Sequence, residues 1–235
     1  MRVLRNIAWS AIASLLLLVG PAPTAHADTG TGTSTGTGTA ARPGAQCPTD
    51  GRTRGISGAP NPALEQYYLD DWRLGPRVLP RTGAIGTMLR GYDRTGPTSA
   101  YWFLGCYWQT NPVTGESGWW YPDNDGFVLD RSGDPVKKTL TLRVGQLVDL
   151  FGSGRGNFLA PAGTPYAKRA IPPSNLDRYT NDYPYSYHLY RVEEAFTVEA
   201  GRIRPWFGQP GLGIQYKTGQ RVSELVTAEK LEALN

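Results

Sequence analysis

Two phenylalanines, Phe151 and Phe158, stand on either side of Gly152-Ser153-Gly154-Arg155-Gly156-Asn157. Glycine reaches positive φ and lets a ligand approach the backbone closely. A glycine-rich turn between two aromatics can hold a flat heteroaromatic ring. The same pattern also describes a surface hairpin with two core phenylalanines. The spacing is neither a GxGxxG opening a helix nor a P-loop, so phosphate cradling of those kinds is not indicated. Further on, Arg169 sits in Lys168-Arg169-Ala170-Ile171-Pro172-Pro173. Its guanidinium is suited to a bidentate grip on a diphosphate, or it is an ordinary surface arginine.

The densest stretch runs from Pro205 through Trp206-Phe207-Gly208-Gln209-Pro210-Gly211 to Gln215-Tyr216. So much glycine is more than a core needs, which predicts a loop shaped for a purpose and ending on a strand at Gln215. Glutamine is no base near neutral pH, but it can hydrogen-bond ribose hydroxyls. Such a site suits a substrate with a good leaving group, where positioning and stabilisation of an oxocarbenium-like state supply the rate. Nicotinamide departing from the cationic ring of NAD+ meets that description. Ordinary sugar hydrolysis wants paired carboxylates instead.

Other chemistries find little support. His26 and His188 are the only histidines, so Ser-His-Asp or Cys-His catalysis would have to rest on His188 alone. Two cysteines without a histidine cluster cannot make a structural zinc site. Asp123-Asn124-Asp125-Gly126 resembles a calcium loop loosely. Arg131 and Ser132 fall where a bidentate acid is needed, so a turn is expected. No metal and no cofactor are expected.

Met1–Ala27 has the form of a secretory signal: Arg2 and Arg5, an apolar run from Ile7 to Val19, then Ala25-His26-Ala27. Its removal leaves 22 basic against 20 acidic residues, a formal charge of +2. Lys and Arg are scattered, so no nucleic-acid partner is indicated, and no later stretch is long and apolar enough to predict a membrane partner. The expected location is outside the cell, where Cys47 and Cys106 would form a disulfide; two buried thiols are the alternative.

Positioning these residues falls to four expected regions: the signal at 1–27, a disordered Thr/Gly leader at 28–46, an irregular aromatic region at 47–135 and a compact module at 136–235. In the aromatic region, Ala63–Trp72 reads as a short helix, while Tyr101–Phe103 and Cys106–Trp108 look strand-like. Its aromatics are expected in a core rather than on a carbohydrate platform. A linker-like break is expected at 132–138. In the module, Leu140, Leu142 and Val144 alternate as in a strand. Strand character recurs at 147–151, 185–192, 195–198 and 215–216, with a turn at Gly201-Arg202. Arg221–Leu234 has helical spacing. The expected class is α+β, predominantly β.

Two long segments, VDLFGSGRGNFLAPAGTPYAKRAIPPSNL and GRIRPWFGQPGLGIQY, resemble the tuberculosis necrotizing toxin family and the related secreted or surface NAD+ glycohydrolases. The resemblance covers Thr139–Leu234. DDWRLGPRVLP and WWYPDNDGF more weakly resemble the N-terminal "thumb" of the fungal members. It implies a small β-rich fold distantly like ADP-ribosyltransferases, and metal-free hydrolysis of NAD+, and of NADP+, to nicotinamide and ADP-ribose. It implies ring stacking by Phe151 and Phe158, phosphate binding by Arg169, and a catalytic role for Gln215 where transferases carry glutamate. Trp206 and Gln209 would shape the pocket. The family admits a cognate immunity protein and a homodimer as partners. Some fungal members hold a C-terminal calcium ion, but Glu229 and Glu232 look like helix surface, so none is expected.

One position departs from the pattern. The family reads Asp-Arg-Phe-Gly where this chain has Asp149-Leu150-Phe151-Gly152. A phosphate arginine is replaced by Leu150, and Arg155 in the same turn is the candidate substitute. A catalytically impaired NAD-binding homologue and a mono-ADP-ribosyltransferase remain as alternatives.

Overall fold

The computed structural model describes residues 66–111, 113–178 and 182–235. The expected signal, leader and Cys47 lie outside the described residues. No helix among those described is long and apolar enough to cross a membrane.

The architecture is α+β and predominantly β. Nine strands are described: β1 (Trp108–Thr110), β2 (Ser117–Trp119), β3 (Lys137–Leu142), β4 (Leu147–Phe151), β5 (Phe158–Pro161), β6 (Tyr187–Val192), β7 (Phe196–Arg202), β8 (Ile214–Thr218) and β9 (Leu231–Ala233). β1 and β2 form a small hairpin. The other seven make one sheet in the order β3-β7-β8-β5-β4-β6-β9, with every neighbouring pair antiparallel.

Alternation along the strands decides which side chains meet. Val148 and Leu150 of β4, Leu159 of β5, Val198 and Ala200 of β7 and Tyr216 of β8 belong to one buried cluster. Val222 and Leu225 of the helix α3 (Val222–Thr227) complete it. The residues between them, Asp149 and Phe151, Phe158 and Ala160, and Gln215, take the opposite face. That second face is covered by the 166–176 segment and the aromatic N-terminal region, through two further clusters centred on Phe103, Trp206 and Phe207 and on Met88, Tyr166 and Leu176. The stretches before and after residue 135 pack together within one compact unit.

Several expectations are corrected. Of the strand-like aromatics, Trp108 does open β1, but Tyr101–Phe103 and Cys106-Tyr107 lie on a helix, α2 (Ala100–Tyr107, following α1 at Gly83–Met88), where the Ser99 side chain accepts from Trp102 N–H. Turning Phe103 and Leu104 into the core outweighs the β preference of aromatic residues. The Ala63–Trp72 helix is, over its described part, two single 3-10 turns, Tyr68–Asp70 and Trp72–Leu74. Gly201-Arg202 is strand, paired with Gln215 and Ile214. Gly201 is needed there because a Cβ would lie 2.7 Å from the Phe127 ring and 2.5 Å from Val136 O. The break at 132–138 is a tight turn that already enters β3 at Lys137. The C-terminal helix stops at Thr227, and Leu231 and Glu232 return as strand; Glu232 pairs with Arg191 rather than lining a helix surface.

Candidate active site

On the second face of the sheet lies a cavity of about 570 Å³, lined among others by Phe151, Phe158, Arg169, Asn175 and Gln215. Strand alternation alone brings Asp149, Phe151, Phe158 and Gln215 to this face. Arg169 arrives from the loop that crosses it.

Phe158 is the accessible ring, 40 % exposed at the rim. Phe151 is buried on the floor. The Arg169 guanidinium carbon lies 5.1 Å from its ring centroid, and Tyr166 and Tyr187 pack around it at 5.0 Å. Gly152 and Gly154 open the turn between the two rings with φ of 130° and 73°. The Asn175 amide donates to Phe151 O at 3.0 Å and closes the floor from the 173–176 segment.

Arg169 is itself buried. Its Nε donates to Thr164 O at 3.0 Å, and its Nη2 pairs with Asp149 Oδ1 at 2.7 Å. Asp149 is wholly buried, and its Oδ2 accepts from Gly163 N–H at 2.8 Å and from Tyr187 Oη–H at 3.1 Å. Burial pushes the Asp149 carboxyl above its ordinary value, while the Arg169 charge pulls it back. Burial, and then the Asp149 charge, push the Tyr187 hydroxyl upward, so it stays a neutral donor. Removing one member of such a buried pair typically costs about 3–5 kcal/mol.

Gln215 donates from Nε2 to Asp125 O at 2.7 Å. Asp125 belongs to the predicted turn, which is present with Asn124, Asp125 and Gly126 all at positive φ. The turn lines the cavity from above. It is fastened by Lys217 Nζ to Asp125 Oδ2 at 2.7 Å and by the Arg204 guanidinium to Asp123 O at 2.8 Å. No cluster of metal-ligating side chains occurs among the described residues.

Three expected pocket residues stand outside the cavity wall. Trp206 is buried, and its indole N–H donates to Trp120 O at 2.7 Å. Gln209 donates to Asp93 O at 2.5 Å and to Phe207 O at 3.3 Å. Both hold the Pro/Gly loop rather than face a ligand. The glycines there serve backbone packing: a Cβ on Gly208 would lie 2.7 Å from Thr95 O, and one on Gly213 would lie 2.6 Å from Lys168 O. Arg155 is exposed on its turn, between Gly154 and Gly156, which do line the cavity. Leu150 lines the cavity too, but its side chain packs into the opposite cluster.

Sequence reasoning missed Asp149, Tyr187, Asn175 and Asp125. The alternation in Val148-Asp149-Leu150-Phe151 carried a usable signal, since a carboxylate between core positions of a buried strand needs a partner.

The fold and cavity together define a small β-rich domain with a nucleotide-sized pocket that offers one arginine, the Gln215 carboxamide and an open aromatic face. The chain belongs to the tuberculosis necrotizing toxin family, whose sequence model matches residues 141–234. It is 42 % identical over 171 residues to the conidial surface nicotinamide adenine dinucleotide glycohydrolase of Aspergillus fumigatus, covering 73 % of this chain and 72 % of that protein. The solved tuberculosis necrotizing toxin, in complex with its immunity factor, aligns with a TM-score of 0.46 at 21 % identity over 58 % of this chain and 71 % of that one. Rhs1-CT, in complex with its cognate immunity protein, aligns with a TM-score of 0.31 at 18 % identity over 49 % and 84 %.

Proposed function

We propose that the chain is an NAD+ glycohydrolase. The observation that carries this reading is one cavity lined by Phe158, Arg169 and Gln215, in a chain 42 % identical to a glycohydrolase of that substrate. Arg169 holds the diphosphate and Phe158 stacks on a ring of the dinucleotide. With its nitrogen committed to Asp125 O, Gln215 turns its carboxamide oxygen to the ribose. That oxygen accepts from a ribose hydroxyl, and its dipole favours positive charge developing at C1′. The C1′–N1 bond breaks and its electron pair stays on nicotinamide, which leaves neutral. Water adds to C1′ and releases its proton, giving ADP-ribose.

The reading extends to NADP+ as a second substrate. Arg155, on the turn at the cavity mouth, is the second cation for the diphosphate in place of the family arginine at Leu150. A surface or secreted location accords with the conidial surface relative, and in that setting Cys106 pairs with Cys47 as a disulfide.

The decisive assay incubates purified protein with NAD+ and measures nicotinamide and ADP-ribose. Equimolar release without a protein acceptor is expected. Nicotinamide release only with an added acceptor would indicate a transferase. No turnover at micromolar enzyme would overturn the proposal.

A further inference from the structure

Arg169 is the only cationic side chain lining the cavity among the described residues, and something must aim it. A guanidinium on four rotatable bonds, free at a cavity wall, would swing to water. Ordering it costs rotamer entropy at the moment of binding.

We propose that Asp149, with Tyr187 behind it, is the positioning residue that aims Arg169 at the substrate. The inference rests on the reading of Arg169 as the diphosphate ligand. Asp149 stands between Val148 and Leu150, both in the opposite apolar cluster, so strand alternation turns its carboxylate under the cavity. The carboxylate is anchored through Oδ2, which takes Gly163 N–H and the Tyr187 hydroxyl, while Oδ1 faces Arg169 Nη2 as an ion pair without an aligned hydrogen bond. It therefore cannot rotate to follow the arginine. Arg169 Nε is held by Thr164 O, the residue after Gly163. One turn, 161–164, thus anchors both partners of the pair, and the Thr164 hydroxyl ties that turn to Pro161 O at 2.6 Å.

The donors that remain set the consequence. Nε is committed to Thr164, and Nη2 to Asp149 with Met88 Sδ at 3.9 Å. Nη1 has no partner among the described residues and is the nitrogen left for an anion. Asp149 thus selects which edge of the guanidinium faces the cavity. A purely structural ion pair would need no such division of labour, and its loss would lower stability without moving substrate affinity.

The test measures KM, kcat and Tm on NAD+ for Arg169→Gln, Asp149→Asn, the double variant and Tyr187→Phe. Asp149→Asn keeps the shape and removes the charge. It is expected to raise KM about tenfold or more with kcat held within about threefold, and the double variant is expected to be no worse than Arg169→Gln alone, the non-additivity of residues acting as a unit. Tyr187→Phe is expected to raise KM about threefold. If Asp149→Asn changes Tm but leaves KM at the wild-type value, or if the two single effects multiply, the positioning role is wrong. If Asp149→Asn does not fold, Tyr187→Phe decides, and an unchanged KM in that variant overturns the proposal. An unchanged KM in folded Arg169→Gln overturns the diphosphate reading itself, a result distinct from failure of Asp149 alone.

Discussion

Gln215 on β8 gives its amide N–H to the main-chain oxygen of Asp125, 90 residues earlier, at 2.7 Å. A carbonyl can only accept, so the nitrogen end of the carboxamide faces the turn and the oxygen end is left for the ligand. The aromatic N-terminal region is therefore part of the site, because one of its carbonyls sets the orientation of the glutamine.

Gln215→Glu replaces that donor with a carboxylate facing the Asp125 carbonyl. We expect kcat on NAD+ to fall about 100-fold or more, the scale of losing a preorganised transition-state contact, with the fold retained by circular dichroism. Lys217→Met releases only the salt link to Asp125 and should lower kcat about threefold while shifting Tm little, as expected for an exposed pair. Full activity in Gln215→Glu would remove glutamine from the mechanism.

Leu150→Arg restores the family residue on the face that packs into the apolar cluster. The strand points it at Val148, Leu159 and Tyr190, so the expected result is a fall in Tm of about 5 °C or more from burying an unpaired charge, with KM unchanged. A lower KM would mean that the longer side chain escapes past Gly154 to the cavity.

Arg155→Ala tests the substitute cation. The residue is exposed, and no ion pair is formed by it among the described residues. We expect KM for NAD+ to rise about tenfold, the scale of one charge-assisted contact, with Tm at the wild-type value. Unchanged KM would leave Arg169 as the sole phosphate ligand.

Asp177 carries a carboxyl raised to about 8, chiefly by burial, with Arg94 opposing and Asp71 adding to the shift. Its Oδ1 is buried without a hydrogen-bond partner among the described residues. The folded state keeps a proton there that the unfolded chain releases, so this contribution to stability is present at low pH and is lost as pH rises toward 8. Asp177→Asn should therefore gain in Tm relative to wild type as pH increases, measured by thermal melts between about pH 5 and pH 9. A pH-independent difference would exclude the carboxyl as the titrating group.

His188 should act with the opposite sign. It lies beneath the glycine turn, with Nε2 3.0 Å from Gly152 O and the ring 4.0 Å from Tyr183. Burial lowers its pKa below 6.5, so the unfolded chain takes up a proton that the folded state refuses. Stability falls as pH drops below about 6.5. His188→Gln should flatten that acid limb in thermal melts; an unchanged limb would assign it to carboxylates.

By itself the sequence determined the β-rich class and the strand character at 140–142, 147–151, 187–192, 196–198 and 215–216. It also singled out Phe158, Arg169 and Gln215, which line one cavity; it did not read β5 or the burial of the Phe151 ring. These signals are local: alternation, turn glycines and ordered motifs survive without knowledge of what packs against what. It misread α2 and Gly201-Arg202, where burial of Phe103 and the approach of Phe127 overrode local preference. The family resemblance also put Trp206 and Gln209 at the pocket, and the sequence held nothing to correct it, because a glycine-rich loop looks the same whether it receives a ligand or another backbone. Only the tertiary structure decided that Gly208 packs against Thr95, that Asp149 stands behind Arg169, and that Asp125 orients Gln215. Those contacts join residues 20 to more than 100 positions apart, and strand pairing together with the faces of the sheet brings them together.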